Sequence, residues 1–179
     1  MVKNQFGRAA DLSHAVVMGA NAISRDLSRM IGGAQVAAVC YRRSANRLQF
    51  LLVRTDKGRW SFPKGHVERA LTSSQAAAQE ALEEAGALGI IAPRPFARYR
   101  HKKRALPADV LVRAYLLHVV RTIDPPETHR RPTWFDAHEA RTKLAASRKP
   151  KYRKELRVVL DRAVHLLNGR HPGPQRCLP

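Results

Sequence analysis

The sequence Trp-Ser-Phe-Pro-Lys-Gly-His-Val-Glu occupies residues 60–68, and a helical pattern that follows it ends Gln-Glu-Ala-Leu-Glu-Glu-Ala-Gly at residues 79–86. On a helix, Glu80, Glu83 and Glu84 stand at i, i+3 and i+4, so their carboxylates project from one face within about one turn. Like charges this close destabilise an isolated helix, whereas Mg²⁺ and Mn²⁺ prefer carboxylate oxygens as ligands. The pattern predicts a Mg²⁺ site, with Mn²⁺ as a substitute; a solvated helix face is the alternative.

The spacing of five residues resembles the Nudix box, Gly-x5-Glu-x7-Arg-Glu-U-x-Glu-Glu-x-Gly-U, in which U is apolar. The five matching residues are Gly65, Glu80, Glu83, Glu84 and Gly86. The preceding Phe-Pro-Lys-Gly-His-Val-Glu is similar to the opening of the box in the diadenosine polyphosphate hydrolases of that family. The resemblance extends over about residues 34 to 145 and implies an α+β fold, an α/β/α sandwich with a mixed sheet between helices.

Two positions depart from the box, because Leu71 stands in place of its first glutamate and Gln79 in place of its arginine. In the family these two residues commonly form an ion pair beneath the loop. Losing both partners leaves no unpaired charge, whereas losing one would cost about 3–5 kcal/mol. We therefore interpret the double departure as the neutral replacement of a structural brace.

The resemblance also implies a reaction, the hydrolysis of a phosphoanhydride in a nucleoside diphosphate linked to another group. By position in the box, the metal ligands would be the carbonyl of Gly65 and the side chains of Glu80, Glu83 and Glu84. The catalytic carboxylates would be Glu83, Glu84 or Glu127. Glu127 lies where some relatives carry an extra metal-binding or base carboxylate, and a loop residue without function is the alternative.

A strongly basic stretch lies at residues 98–104, Arg-Tyr-Arg-His-Lys-Lys-Arg. Cationic side chains bind phosphate oxygens, and an aromatic ring can stack on a base. The predicted substrate-binding residues are therefore Lys64, His66, Arg98, Tyr99, Arg100, Lys102 and Lys103, with Tyr99 as the stacking residue. The alternative is an exposed hairpin whose lysines protect an edge strand from pairing with another chain.

The overall charge favours an anionic partner, since 33 Lys and Arg against 14 Asp and Glu give a formal net charge of +19. We expect a polyphosphate-containing small molecule; nucleic acid is less favoured, and charge that serves only solubility is the alternative. Cys40 and Cys177 lie far apart and form neither a disulfide framework nor a zinc spacing, and no signal peptide is recognisable. The expected location is the cytoplasm, without a membrane partner.

The chain is predicted to divide into an N-terminal extension (1–33), a Nudix domain (34–147) and a basic C-terminal helix with a mobile tail (148–179). Apolar spacing predicts a helix over residues 12–31, which would pack on its own domain or on a second subunit, and the protein is expected to be a monomer or homodimer. Strands are predicted at 35–42, 48–54, 90–103, 109–121 and 131–135, with a last helix at 151–167.

Three functions follow from these observations. The favoured one is Mg²⁺-dependent hydrolysis of a diadenosine polyphosphate. The first alternative is hydrolysis of an inositol pyrophosphate, which the high basic charge and the scarcity of aromatic residues would suit. The second is a non-catalytic RNA-binding module, for which the altered box and the positive charge would serve binding alone; retention of all three helix glutamates argues against it.

Overall fold

A computed structural model describes residues 34–45, 47–102 and 108–169. The predicted N-terminal helix, the predicted substrate-binding residue Lys103 and the tail from residue 170 onward lie outside the described residues. The strands are β1 (Gln35–Ser44), β2 (Arg47–Arg54), β3 (Trp60–Ser61), β4 (Lys64–His66), β5 (Ala87–Ile91), β6 (Ala97–Lys102), β7 (Asp109–Thr122) and β8 (Thr133–Asp136). The helices are α1 (Ser73–Ala85), α2 (Ala137–Ala145) and α3 (Pro150–Asn168), and a 3-10 turn spans Thr128–Arg130.

Strand β1 lies at the centre of a mixed sheet. It pairs in parallel with β7, from Gln35 opposite Val112 to Tyr41 opposite His118. On its other edge it pairs antiparallel with β2 and then with β4, where Val36 lies opposite Gly65. The sheet therefore places Gly65, in β4, directly beside its central strand.

Both faces of β1 are buried, because alternate side chains of a strand point to opposite sides of the sheet. Val36, Ala38 and Cys40 pack with the alanines of α1 on one face. Ala37 and Val39 pack with α2 and α3 on the other. Helices thus cover a mixed sheet on both sides, which confirms the predicted α/β/α sandwich.

Helix α3 extends the predicted 151–167 by one residue at each end and is amphipathic. Its buried side consists of Leu156, Val159, Leu160, Ala163 and Leu167, which join the core beneath the sheet. The C-terminal helix therefore forms part of one layer of the sandwich. The division of the chain at residues 33 and 147 stays a prediction.

The single strand predicted at residues 90–103 is wrong, because this segment forms two strands. Strands β5 and β6 both pair antiparallel with β7, at different points along its length. Between them lie Pro93 and Pro95. Proline has no N–H to donate to a strand ladder, so the pairing is interrupted there. None of the described helices is long and apolar enough to span a membrane.

Candidate active site

Local sequence signals fix the position of α1. Thr72 and Gln75 form a capping box: the Gln75 N–H donates to Thr72 Oγ1 at 3.3 Å, and the Thr72 N–H donates to Gln75 Oε1 at 2.9 Å. At the other end Gly86 adopts the left-handed conformation, with φ of 60°, and donates its N–H to the carbonyls of Ala81 and Leu82. With both ends fixed, the register of the three helix glutamates is fixed as well.

A cleft with a volume of about 350 Å³ opens between α1, β4 and the 3-10 turn. Among the described residues, its lining combines five carboxylates with five cationic side chains. The carboxylates are those of Asp56, Glu80, Glu83, Glu84 and Glu127, and the cations are Lys57, Arg59, Lys64, Lys102 and Arg130. The structure therefore brings together every predicted metal-binding and catalytic residue in one cleft.

Glu84 is the most deeply placed of these carboxylates, with 4% of its surface exposed. The Lys64 N–H donates to its Oε2 at 3.0 Å, and Arg130 Nη2 lies 2.9 Å from its Oε1. Burial raises the pKa of Glu84, while the neighbouring charges of Lys64 and Arg130 act in the opposite direction. Glu84 lies on the buried side of α1 together with four alanines, Ala76, Ala77, Ala81 and Ala85.

The carboxylate of Glu80 lies directly against Gly65. A Cβ atom added to Gly65 would stand 1.8 Å from Glu80 Oε1 and 2.2 Å from its Cδ. Gly65 does not have a positive φ angle. Glycine is therefore required at this position to leave room for the carboxylate, and not to allow an unusual backbone conformation.

Glu83 is positioned by the residue that departs from the box. Gln79 Nε2 donates to Glu83 Oε1 at 2.9 Å, one helical turn away. The carbonyl of Glu83 accepts a hydrogen bond from the Glu127 N–H at 3.1 Å. This second bond ties the segment that contains Glu127 to the end of α1 and brings its carboxylate into the cleft.

Arg130 was missed by the sequence analysis. Its Nε lies 2.7 Å from Glu127 Oε2, its Nη2 pairs with Glu84, and its Nη1 lies 3.4 Å from Asp56 Oδ1. One guanidinium thus contacts three carboxylates of the cleft. The spacing of three residues between Glu127 and Arg130 was a local signal for the first of these pairs, whereas nothing in the sequence indicates the contact with Glu84.

Three of the predicted substrate-binding residues line the cleft: Lys64, His66 and Lys102. Burial lowers the pKa of Lys64, although the charge of Glu84 acts in the opposite direction. His66 has 8% of its surface exposed, and its Nε2 lies 3.0 Å from the side-chain nitrogen of Gln35. These three side chains are therefore placed beside the carboxylates.

The prediction that Tyr99 stacks on a base is wrong. Only 2% of Tyr99 is exposed, and its ring belongs to the core beneath the sheet. Arg98 and Arg100 do not line the cleft, and the Arg100 side chain lies 3.6 Å from Glu155 of α3. Alternation along β6 is the physical reason, because it turns the Tyr99 side chain toward the core and its neighbours away.

The described residues contain no set of three His, Cys, Asp or Glu side chains arranged as metal ligands. Arg130 pairs with three of the cleft carboxylates, and a backbone N–H engages Glu84. The chemistry of the donor set nevertheless fits a hard divalent cation, because Glu80, Glu83, Glu84 and Glu127 provide carboxylate oxygens on one small surface.

Replacing Arg130 by Ala is expected to lower the free energy of unfolding by about 2–4 kcal/mol, because it leaves the Glu84 charge buried without its cation. The folded pKa of Glu84 is raised above its ordinary 4.5, so stability falls as pH rises from that value through the folded pKa. Removing Arg130 raises that pKa further. Denaturation should therefore show a larger loss at pH 8 than at pH 5.

The matched control for this prediction is Arg141→Ala, since Arg141 pairs with Asp161 at the surface, where both side chains are more than two-fifths exposed. Its expected cost is about 0–1 kcal/mol at either pH. Equal losses for the two variants would contradict the role given to the Arg130–Glu84 pair.

Comparisons with known proteins agree on one family. A family model described as NUDIX domain matches residues 33–156. An Ap4A hydrolase of C. elegans, solved as a binary complex, aligns with a TM-score of 0.61 at 22% identity, over 76% of this chain and 98% of the hydrolase. No curated protein matches the chain.

Two further solved structures have the same fold. The Bacillus subtilis pyrophosphohydrolase BsRppH aligns with a TM-score of 0.57 at 18% identity, over 78% of this chain and 84% of its own. The NUDIX domain of Shewanella oneidensis NrtR, complexed with ADP ribose, has a TM-score of 0.57 at 15% identity, over 75% of this chain and 88% of its own. At these identities the similarity is one of fold.

Proposed function

The chain belongs to the Nudix family, whose hydrolases act on pyrophosphate bonds, and on this premise we propose that it hydrolyses a phosphoanhydride of a diadenosine polyphosphate in a Mg²⁺-dependent reaction. One observation carries the proposal: four carboxylates, those of Glu80, Glu83, Glu84 and Glu127, lie in a single cleft with Lys64 and Arg130. A polyphosphate needs both kinds of group, oxygen ligands for its metal and cations for its own oxygens.

The residues that would hold the metal are Glu80, Glu83 and Glu84, together with the backbone carbonyl of Gly65. When bound there, Mg²⁺ supplies charge neutralisation of the bridging phosphates and a lower pKa for an attacking water. The close approach of Glu80 to Gly65 supports this assignment, because it brings a side-chain oxygen beside the backbone of the loop.

We assign the proton acceptor to Glu127. The Glu84 carboxylate is almost fully buried and is engaged by the Lys64 N–H and by Arg130. Glu127 also pairs with Arg130, through Oε2 at 2.7 Å, but its side chain is 30% exposed, and its backbone is anchored to α1 beside Glu83. A carboxylate in this position can take the proton of a water molecule that attacks a phosphorus atom in the cleft.

The cations of the cleft would bind the rest of the phosphate chain. Lys64, Arg59 and Lys102 line the same cleft as the carboxylates. In a phosphoryl transfer most of the catalytic effect comes from positioning and from stabilising the charge on the phosphate oxygens. These three side chains supply such contacts without taking part in the proton transfer.

An inositol pyrophosphate is a second candidate substrate, and the lining of the cleft favours it. Among the described residues, no Phe, Tyr or Trp side chain lines the cleft, so only the smaller imidazole rings of His66 and His101 could stack on adenine. A substrate whose non-reacting part is itself phosphorylated needs cations and no stacking surface. The favoured diadenosine substrate rests on the resemblance of residues 62–68 to that branch of the family.

Metal removal provides the test of this function. The purified protein is incubated with diadenosine tetra-, penta- and hexaphosphate and with an inositol pyrophosphate, and the products are separated by ion-exchange chromatography. We expect turnover with Mg²⁺, a loss of at least about 100-fold in excess chelator, and recovery when Mg²⁺ is restored.

The product pattern distinguishes the alternatives. Release of ATP and a second nucleotide supports the dinucleotide, whereas turnover of the inositol compound alone supports the second candidate. Absence of turnover, combined with RNA binding that weakens steeply as salt is raised, would replace both by a non-catalytic RNA-binding module.

A further inference from the structure

A second pocket adjoins the cleft and has a different chemical character. Its volume is about 360 Å³, and it lies between the turn before β3, the end of β6 and the start of α3. Four residues line both cavities, so the two are continuous: Lys57, Arg59, His101 and Lys102. Arg148, Lys149 and Tyr152 complete the second one, which we call the basic pocket.

Charge balance separates the basic pocket from the cleft. Within the described part of the chain, the cleft lining carries as many carboxylates as cations, whereas the lining of the basic pocket includes five cations and no carboxylate. Clustered cations that outnumber the carboxylates beside them repel one another and attract an anion. The charge of Asp109 acts on Lys102 and His101 of this lining, but the Asp109 carboxylate also accepts hydrogen bonds from Lys151 at 2.6 Å and from the Tyr152 hydroxyl at 2.7 Å.

Two arginines line the wall of this pocket, and one of them, Arg148, is fixed by hydrogen bonds. Arg148 is 9% exposed, and it donates from Nε to the Leu144 carbonyl at 2.9 Å and from Nη2 to the Trp60 carbonyl at 2.5 Å. The Nε atom of Arg59 is buried and has no hydrogen-bond partner among the described residues. A buried donor without a partner costs free energy unless a ligand supplies the acceptor.

Burial and the positive charges around the basic pocket both act on the pKa of His101. Burial lowers the pKa of His101 to about 4, and the positive charges of Lys64, Arg148 and Arg59 act in the same direction. His101 is therefore neutral at pH 7 and adds hydrogen-bonding capacity to the pocket without adding charge.

The start of α3 contributes a further feature. Lys149 is the N-cap residue, makes no side-chain capping bond, and is followed by Pro150; the first turn contains no acidic residue. Pro150 has no N–H, and the N–H groups of Tyr152 and Arg153 both donate to the Lys149 carbonyl at 3.1 Å, so it is the dipole of the helix that favours an anion at this end. This end of α3 thus adds to the attraction that the side chains exert.

We propose that the basic pocket is a second phosphate-binding site, which takes the anionic part of the substrate that is remote from the bond to be cleaved. The inference rests on the proposed function for the identity of the bond, and it restricts the substrate class to molecules with several phosphates beyond that bond. Either the phosphate chain of a dinucleotide or a phosphorylated ring meets this requirement; an uncharged remote group does not.

Calorimetric titration with tripolyphosphate, in buffer that contains a metal chelator, tests binding without catalysis. Lys149→Glu removes a cation that lines the basic pocket alone, and a negative charge at the start of α3 is compatible with the helix. We expect about a tenfold weaker affinity for this variant. The matched control is Arg98→Glu, an exposed residue outside both cavities, for which the affinity should change less than about twofold.

Competition identifies the source of the phosphates. Diadenosine hexaphosphate and inositol hexakisphosphate are each added to the complex of the protein with tripolyphosphate. The compound that displaces tripolyphosphate, and does so less effectively from the Lys149→Glu protein, identifies the physiological class of substrate. The proposal is overturned if Lys149→Glu and Arg98→Glu have equal effects, or if neither compound displaces tripolyphosphate.

A kinetic comparison keeps this result separate from the proposed function. On a substrate that is turned over, Lys149→Glu should raise KM by about tenfold and leave kcat unchanged, since it removes binding that is equal in the ground state and the transition state. Turnover with an unchanged KM would contradict the second phosphate-binding site and leave the proposed hydrolase function intact. If the protein shows no turnover but binds tripolyphosphate in a way that depends on Lys149, the hydrolase function is contradicted and the phosphate-binding site is supported.

Discussion

Glu84→Gln is expected to lower Mg²⁺-dependent turnover by about 10²–10⁴-fold, the range that follows from loss of an essential charged group in an active site. Glutamine keeps the shape of the side chain and an oxygen that can accept the Lys64 N–H, so the loop stays attached to α1. The change removes the negative charge at the most buried carboxylate of the cleft. The loss should appear in kcat rather than in KM, measured with saturating substrate and metal.

The control for this prediction is Glu155→Gln. Glu155 lies on α3, pairs with Arg100 and does not line the cleft, so neutralising it should leave kcat within about twofold of the original value. A Glu84→Gln protein that retains its fold, judged by circular dichroism, and its full turnover would contradict the role of the cleft carboxylates.

Gly65→Ala is expected to lower turnover by about 100-fold with little effect on stability. The added methyl group would overlap the Glu80 carboxylate, whose Oε1 lies 1.8 Å from the position of the new Cβ. Glu80 must then move by an ångström or more, and a displacement of about 1 Å in a catalytic group costs on the order of 100-fold in rate. The atoms that must shift are the end of a flexible side chain, so the free energy of unfolding should change by less than about 1 kcal/mol.

Gly169→Ala serves as the comparison, because Gly169 lies at the end of α3 and an added Cβ there stands 3.3 Å from the His165 carbonyl. Its turnover should equal that of the original protein. Paired measurements of kcat and of the thermal midpoint separate a catalytic effect from unfolding. If Gly65→Ala lowers both in proportion, the explanation through Glu80 fails.

The part of the site on α1 was predictable because its determinants are local. Thr72, Gln75 and Gly86 fix the two ends of one helix, and the spacing of the glutamates then follows from helical geometry. The similarity of this segment to the Nudix box also predicted the fold. Neither argument needs a contact between distant parts of the chain.

Arg130 could not be predicted in the same way. Its pairing with Glu84 depends on the hydrogen bond between the Glu127 N–H and the Glu83 carbonyl, which brings two distant segments together. The burial of Glu84 likewise results from the packing of α1 on the sheet. The Arg130–Glu84 pair and the burial of Glu84 both depend on long-range packing, which cannot be predicted from local residue spacing.

The basic stretch at residues 98–104 shows a different limit. Its composition correctly indicated positive charge, but charge alone does not reveal which side of a strand a residue faces. Strand alternation places Tyr99 in the core, while Lys102 reaches the cleft. The cations that complete the basic pocket, Arg148 and Lys149, come from a helix start far along the chain.

Hydrolysis in ¹⁸O-labelled water tests the central claim most directly. The protein is incubated with Mg²⁺ and diadenosine hexaphosphate, and the products are analysed by mass spectrometry. The account predicts two nucleotide products, one of which carries a single ¹⁸O atom on its terminal phosphate, with no labelled product from Glu84→Gln over the same period. Intact substrate after prolonged incubation, for this compound and for the inositol pyrophosphate alike, would contradict it.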